Sequence, residues 1–226
     1  DCWGHYFGSF VFPQRLDLNQ YTVHYFHHYR RLRLPLMESN TQFDTANCLK
    51  IVIYGPESTG KTTLTKALAI HYQSEWVPEF ARTFLQEKWD RQQEVCSLED
   101  LITIARCQLK EEQRAAQKTN DLLFCDTNIL VTKVWSETHF EGYCASEIEA
   151  LFKEAEVDLY LLTSIDVPWE KDDLRDRPDN RAQMFAYFKQ QLDQYKLPYC
   201  ILEGNEQKRL QKAIEVVDEL RKNSRA

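Results

Sequence analysis

One stretch of this chain constrains its fold more than any other. The apolar run LKIVIY at residues 49–54 leads directly into GPESTGKT at residues 55–62. The second segment fits the pattern G-x-x-x-x-G-K-[ST] at every fixed position. From Lys61 to about Gln73, apolar side chains recur at helical spacing, at Leu64, Ala67, Leu68 and Tyr72. A buried strand, a glycine-rich turn and an amphipathic helix in this order predict a phosphate-binding loop.

The residue types in this loop suit a nucleotide and its metal. Gly55 and Gly60 let the backbone curl so that successive N–H groups face phosphate oxygens. Lys61 is expected to reach the β- and γ-phosphates, and the Thr62 hydroxyl to bind Mg²⁺. We therefore predict ATP or a close relative as the ligand, with Mg²⁺. The predicted nucleotide contacts are Gly55, Pro56, Glu57, Ser58, Thr59, Gly60, Lys61, Thr62 and Thr63.

The chain after residue 48 alternates between strand and helix patterns. Short apolar runs predict further strands at 76–78, 122–126, 158–163 and 199–204. Helical patterns separate them, and two of these open with apparent capping pairs, Ser97 with Asp100 and Ser146 with Glu149. This alternation predicts an α/β fold of the P-loop NTPase class. We expect a five-stranded parallel sheet with helices on both faces, in one domain at residues 49–226.

Two carboxylates are predicted to complete the site. Asp126 ends the apolar run LLFCD, which is where a Walker B carboxylate faces the metal, although it could instead cap the next helix. Glu79 lies in VPEFAR, just after the second predicted strand, where a carboxylate can accept a proton from an attacking hydroxyl. Arg82 follows three residues later and could hold a phosphate or Glu79 itself. An ordinary surface pair of Glu79 and Arg82 is the alternative interpretation.

The segment at residues 166–181, DVPWEKDDLRDRPDNR, combines arginines with aspartates. A mobile arginine-bearing loop after the fourth strand is typical of a kinase lid, which closes over the transferring phosphoryl group. A solvated charged loop is the alternative. Trp135 and Trp169 could each stack on a flat ring or pack in the core. The charged residues of the predicted lid are Arg175, Arg177, Arg181, Asp172, Asp173 and Asp176.

Composition excludes several classes of function. The net charge of −7 argues against a general nucleic-acid binder, and no run of about 18 apolar residues could span a membrane. The seven cysteines are odd in number and include no C-x-x-C pair, which favours reduced thiols and a cytoplasmic location over disulfides or zinc.

The first 48 residues form an atypical N-terminal extension. Residues 1–36 are rich in aromatic residues and histidine and show neither helical nor strand periodicity. One interpretation is that they derive from an extended or mis-set gene start, with the functional protein beginning near Met37. The other is a real extension that packs its aromatic side chains on the domain. We favour the first on composition.

Four segments taken together resemble a known family. GPESTGKTTL, VPEFAR, LLFCDTNILVTKVW and DLYLLTSIDVPWEKDDLRDRP are similar in order and spacing to the ribosylnicotinamide kinase domain of NadR-type proteins, over roughly residues 49–222. The resemblance implies a P-loop kinase that transfers the γ-phosphate of ATP to the 5′-hydroxyl of nicotinamide riboside, giving nicotinamide mononucleotide. NadR proteins usually carry a nucleotidylyltransferase domain ahead of the kinase. Residues 1–48 are too short for one and lack its H-x-G-H motif.

The resemblance also implies roles for individual residues. Lys61 and Thr62 would serve phosphate and Mg²⁺, and Asp126 the metal or the acceptor. Glu79 would be a base or a ribose contact. The predicted catalytic residues are Lys61, Glu79, Asp126, Arg175 and Arg177. The predicted acceptor contacts are Glu79, Arg82, Asp126, Trp135, Trp169 and Asp172, and the predicted metal ligands are Thr62 and Asp126.

Two other functions remain open from the sequence. Another nucleoside could fit the same frame, which would make the chain a kinase for that nucleoside. An ATP-binding regulatory module would keep the phosphate-binding loop but lose the groups that face the acceptor. Retention of Glu79, Asp126 and the arginines of the predicted lid speaks against such a module, and the absence of an N-K-x-D guanine signature speaks against a GTPase. The expected partner is a small nucleoside, with no nucleic acid and no membrane.

Overall fold

A computed structural model describes residues 48–172, 174 and 178–225 of the chain, and the fold is built from these. Within them, five strands form one sheet with the order β2-β3-β1-β4-β5. The strands are β1 (Leu49–Tyr54), β2 (Glu75–Val77), β3 (Leu122–Asp126), β4 (Leu159–Thr163) and β5 (Tyr199–Leu202). The helices are α1 (Lys61–Tyr72), α2 (Phe80–Gln92), α3 (Leu98–Ala116), α4 (Ile129–His139), α5 (Ser146–Glu154), α6 (Arg181–Gln194) and α7 (Glu206–Arg225), with a 3₁₀ turn at Pro178–Asn180.

Every strand pair in this sheet is parallel, so the carboxyl ends of all the strands meet at one edge. The register of β1 against β3 pairs Ile53 with Asp126. The loop that follows β1 therefore begins beside the last residue of β3. This edge is where ligands bind in open α/β sheets.

Alternate residues of the strands enter two separate apolar clusters. On one face, Val52 and Tyr54 pack with Leu123 and with residues of α3, α4 and α6, such as Phe188. On the other face, Ile51 and Ile53 pack with α1 and α7. The sheet is thus covered on both faces, which explains why β1, β3 and β4 are mostly apolar rather than alternating between apolar and polar residues.

The predicted fold class is confirmed, including five parallel strands with helices on both faces. The capping pair at the start of α3 is also present, since Ser97 accepts a hydrogen bond from the Asp100 amide and the Asp100 side chain accepts one from Ser97. The pair predicted at Ser146 and Glu149 is wrong. Ser146 is already the first residue of α5, and the residue before it, Ala145, has no capping side chain.

The predicted extension at residues 1–48 lies outside the described residues, except for Cys48, and its two interpretations stay open. In the described part of the chain, no helix is long and apolar enough to cross a membrane.

Candidate functional site

The loop between β1 and α1 has backbone angles that explain the glycine at its start. Gly55 has φ of +139°, a region that residues with side chains rarely adopt. A Cβ at this position would lie 2.7 Å from the Thr163 Oγ1 atom and 3.0 Å from the Thr163 carbonyl oxygen. Ser58 and Gly60 also have positive φ, of 53° and 78°. The chain therefore curls tightly before α1, as a loop that wraps a phosphate must.

Lys61 begins α1 and reaches back across the loop. Its Nζ atom donates a hydrogen bond to the Pro56 carbonyl oxygen at 2.8 Å. The ammonium group is thus held over the concave side of the loop, beside the positive end of the helix dipole. An anion bound in the loop would meet this charge and the first amides of α1 together.

Thr62 and Asp126 form the most direct link between the loop and the strand edge. The Thr62 hydroxyl donates a hydrogen bond of 2.5 Å to the Asp126 Oδ2 atom. Asp126 is 1% exposed, and its Oδ1 atom has no hydrogen-bond partner. Burial raises the pKa of this carboxyl, while the Thr62 hydrogen bond and the charge of Lys61 oppose the increase. A hydroxyl and a buried carboxylate with an unpaired oxygen are the oxygen donors that Mg²⁺ prefers, so the two residues fit this metal.

Asp126 does not cap the following helix, which was the alternative interpretation. The N-cap of α4 is Asn128, whose side chain accepts a hydrogen bond from the Leu130 amide at 3.1 Å. The Asp126 carboxylate is therefore not used by the helix.

Two arginines donate hydrogen bonds to carbonyl oxygens of the loop. Arg209, at the start of α7, is 3% exposed and donates to the Thr59 carbonyl at 2.6 Å and to the Ser164 carbonyl at 2.9 Å. It also pairs with Asp166. Arg181, at the start of α6, donates to the Ser58 carbonyl at 3.1 Å. The carbonyl oxygens of Ser58 and Thr59 are therefore already paired with guanidinium groups.

A cavity of about 990 Å³ extends from the loop across the carboxyl edge of the sheet. Residues 57–64 line one part of it, together with Asp126. Glu79, Arg82 and Trp135 line it on the side of α2 and α4. The remaining wall on this side is largely apolar and includes Leu85, Leu101, Ile104 and Val131. The cavity therefore joins an anion-binding part to a part that can hold a flat, mostly apolar group.

Glu79 precedes α2 and is half-buried beside this cavity. It is the N-cap residue of α2, but its side chain makes no capping hydrogen bond. Arg82, one turn later, lines the same cavity as the phosphate-binding loop. Its Nη2 atom lies 2.7 Å from the Asp172 Oδ2 atom, in a pair whose side chains are 45% and 22% exposed. The hydrogen bond to Asp172 raises the pKa of Arg82.

A model of the family described as an AAA domain matches residues 50–209, more than half of the chain. The chain belongs to this family of AAA domains.

Solved structures with the same fold as this AAA domain include kinases. The NadR protein in complex with NR superposes with a TM-score of 0.65 at 22% identity, over 77% of this chain and 52% of that one. NadR in complex with NAD and AMP-PNP gives 0.63 at 21% identity, over 76% and 49%. Deoxyadenosine kinase from M. mycoides gives 0.57 at 11% identity, over 76% and 100%. At these identities the likeness establishes a shared fold, and the chain spans about half the length of the NadR chains.

The structure of the AAA domain brings most of the predicted site residues to one cavity. Eight of the nine predicted loop contacts line it, together with Asp126, Glu79, Arg82 and Trp135; the eight are Gly55, Glu57, Ser58, Thr59, Gly60, Lys61, Thr62 and Thr63. Pro56 instead lines a small adjacent cavity with Trp169. Trp169 lies under the Arg181 guanidinium, 5.7 Å from its ring centre, rather than on the main cavity. Arg175, Arg177, Asp173 and Asp176 lie outside the described residues, so their predicted place in a lid stays a prediction.

Sequence reasoning missed three side chains of this AAA domain. Arg209 was not predicted to support the phosphate-binding loop, and Arg181 was assigned to the lid alone. Gln108 of α3 also lines the main cavity and is 2% exposed. A buried glutamine in the apolar stripe of α3 was the available signal, because such an amide must find hydrogen-bond partners.

Proposed function

We propose that the chain is an ATP-dependent kinase that phosphorylates the 5′-hydroxyl of nicotinamide riboside to give nicotinamide mononucleotide. The observation that carries the proposal is one cavity that joins the Thr62–Asp126 pair of the phosphate-binding loop to Glu79. An enzyme that transfers a phosphoryl group needs these two halves within one enclosure.

The loop binds the phosphates of ATP and holds them in place. Lys61 leaves the Pro56 carbonyl for the β- and γ-phosphate oxygens, and the inward amides of the loop take up the remaining charge. Thr62 and Asp126 would hold Mg²⁺, which would supply positive charge to offset that of the phosphate oxygens. Arg181 and Arg209 keep the loop carbonyls turned away from these phosphates.

Glu79 acts from the acceptor side. Its carboxylate accepts the proton of the 5′-hydroxyl as that oxygen attacks the γ-phosphorus, and the bond from this phosphorus to the bridging oxygen of ADP breaks. Asp126 is the alternative acceptor for the proton. Because the Asp126 carboxylate also accepts the Thr62 hydrogen bond and fits the metal, we assign the proton to Glu79.

The ring of the acceptor has an apolar place to bind. Trp135 lines the cavity, as Val131 and Leu101 do, and its indole stacks on the His139 ring with the ring centres 4.3 Å apart. We propose that the part of the indole that lines the cavity packs against the pyridine ring. The NadR complex with NR, which has the same fold, supports nicotinamide riboside as the acceptor. We further propose that the protein acts in the cytoplasm, as its cysteine pattern suggests.

An ADP-release assay across nicotinamide riboside, ribonucleosides and deoxyribonucleosides tests the acceptor. We expect nicotinamide riboside to give the highest kcat/KM. A preference of about tenfold or more for another nucleoside would reassign the acceptor. The fold shared with a deoxyadenosine kinase makes a deoxyribonucleoside the alternative to include.

The Glu79→Gln variant tests the role of Glu79 as the base independently of nucleotide binding. We expect a fall in kcat of about a hundredfold or more, with the affinity for ATP nearly kept, because the amide cannot accept the proton. An unchanged kcat would remove Glu79 as the base. Binding of ATP that depends on Lys61, with no transfer to any nucleoside, would instead favour a regulatory ATP-binding module.

A further inference from the structure

The first turn of α2 is capped by a side chain from a different helix. Helices leave their first amides without partners, and the residue before the helix usually supplies an acceptor. Glu79 occupies that place with extended backbone angles, φ −64° and ψ 109°, yet its carboxylate makes no capping hydrogen bond. Instead, the Phe80 amide donates to the Gln108 Oε1 atom of α3 at 2.9 Å.

Gln108 is held in turn by a buried charged pair. Its Nε2 atom donates to the Glu112 Oε1 atom at 3.3 Å, and the Glu112 Oε2 atom lies 3.0 Å from the Lys50 Nζ atom. The Glu112 side chain is 1% exposed and that of Lys50 is 17% exposed. A continuous polar chain therefore runs from β1, through α3, to the amide that follows Glu79.

The chemistry of these groups fixes the orientation of the amide. A carboxylate can only accept a hydrogen bond and a backbone N–H can only donate one. Gln108 must therefore point its NH₂ group at Glu112 and its carbonyl at Phe80. A rotated amide would place donor against donor and acceptor against acceptor in a buried setting, which costs free energy at both ends.

We propose that Gln108 is a positioning residue that aims the Glu79 carboxylate at the acceptor hydroxyl by fixing the backbone at the start of α2. The inference rests on the proposed kinase function. Since Gln108 supplies the cap, the Glu79 carboxylate is not needed for that task. Lys50 and Glu112 anchor Gln108 to the same strand that leads into the phosphate-binding loop, so both halves of the site share one support.

Gln108→Leu tests the inference, with Gln113→Leu on the exposed face of the same helix as the matched control. We expect Gln108→Leu to lower kcat by about tenfold to a hundredfold while the KM for ATP changes less than about twofold, because a misaimed base slows transfer without altering nucleotide contacts. The Phe80 amide should also exchange its hydrogen faster in Gln108→Leu. Gln113→Leu should leave kcat, KM and exchange unchanged.

Gln108→Glu gives a signature that a purely structural role would not. The new carboxyl keeps an acceptor for Phe80 but faces Glu112, so the two must share a proton to stay in place. Glu112 also faces Lys50 of β1, Cys125 of β3 and Tyr160 of β4. Burial raises the pKa of both Cys125 and Tyr160, which keeps them neutral near pH 7. We expect the kcat of Gln108→Glu, relative to the wild type, to fall as the pH rises from about 6 to about 8.5, the range in which buried, paired carboxyls lose their shared proton. A ratio that stays constant over this range would contradict the positioning role.

The results of these experiments distinguish a failure of the positioning role from a failure of the proposed kinase function. A wild type that phosphorylates a nucleoside, together with a Gln108→Leu variant whose kcat stays within about twofold, would overturn the positioning role. An unchanged exchange rate of the Phe80 amide in Gln108→Leu would overturn it as well, with or without kinase activity. A wild type that phosphorylates no nucleoside would refute the proposed function by itself.

Discussion

At the scale of single residues, Gly55 and Asp126 carry unusual constraints for opposite reasons. Gly55 is required by the backbone, since its φ of +139° and the closeness of Thr163 leave no room for a side chain. Asp126 is tolerated despite its burial, since a carboxylate with an unpaired oxygen costs free energy that a bound cation would offset. Gly55 lets the backbone form the loop, and Asp126 offers an oxygen beside the loop that could bind a cation.

Gly55→Ala is expected to destabilise the fold more than Gly60→Ala. At Gly55 the new methyl group would contact both the side chain and the backbone of Thr163, in addition to a backbone strain of about 1–3 kcal/mol. At Gly60 the nearest atom is 4.0 Å away, so only the strain of positive φ remains. Urea unfolding of the two variants measures the difference. Equal losses would show that the contact with Thr163 is not tight.

Asp126→Asn should change both metal dependence and the pH dependence of stability. Burial raises the pKa of Asp126 in the folded state, so its contribution to stability is present at low pH and is lost as the pH rises through that raised value. Without metal, the variant should therefore gain stability relative to the wild type as the pH rises through this window. Adding Mg²⁺ with ADP should raise the melting temperature of the wild type much more than that of the variant.

Asp121→Asn is the control for this prediction, because Asp121 is half-exposed and pairs with Arg221 away from the cavity. It should keep the full response to Mg²⁺ and ADP. An equal response in Asp126→Asn would mean that Asp126 holds no metal.

At the scale of elements, local sequence patterns predicted the strands that are buried on both faces. They failed where contacts between residues distant in sequence determine the structure. The strands β1, β3 and β4 are buried on both faces, so their apolar runs predicted them. Helix α2 has no fully buried residue, because Phe80, Phe84 and Leu85 pack against the core while staying partly exposed, so its pattern was a weaker guide. The pair at Ser146 and Glu149 misled because Glu149 lies 3.0 Å from Lys133 of α4, a buried lysine that needs carboxylate partners.

Local patterns also predicted part of the candidate site and missed the part that depends on contacts between distant residues. Lys61 and Thr62 belong to one local motif, and Asp126 lies at a strand end that the motif makes meaningful, so the sequence predicted all three. Arg209 and Arg181 hydrogen-bond to loop carbonyls 150 and 123 residues away in sequence. No spacing rule covers such contacts, because they depend on how the ends of β1, β4, α6 and α7 assemble.

Arg209→Met tests the support that α7 gives to the loop. The change leaves the Thr59 and Ser164 carbonyls without their buried donor, and we expect a loss of about 2 kcal/mol or more in unfolding free energy, with weaker ATP binding. Arg221→Met removes a half-exposed pair with Asp121 on the same helix and should cost less than about 1 kcal/mol. Denaturant unfolding and ATP titration measure both effects. Equal losses in the two variants would argue against a special role for Arg209.

At the scale of the whole molecule, the parallel sheet collects groups from distant parts of the sequence at one edge. The phosphate-binding loop follows β1, Glu79 follows β2 and Asp126 ends β3, so three successive strands supply one cavity. The strand order places β3 between β1 and β2, so Asp126 lies between the strand that leads into the phosphate-binding loop and the strand that leads to Glu79. The family, the fold and the site all agree with phosphoryl transfer, and the proposed acceptor would bind against the α2 and α4 wall.

The most direct test of the account is the product itself. The protein is incubated with ATP, Mg²⁺ and nicotinamide riboside, and the nucleotides are identified by mass spectrometry, with Lys61→Ala as the inactive control. We predict nicotinamide mononucleotide and ADP in equal amounts from the wild type, and neither above background from Lys61→Ala. Nucleotide binding without any phosphorylated nucleoside, or equal product from both proteins, would contradict the account.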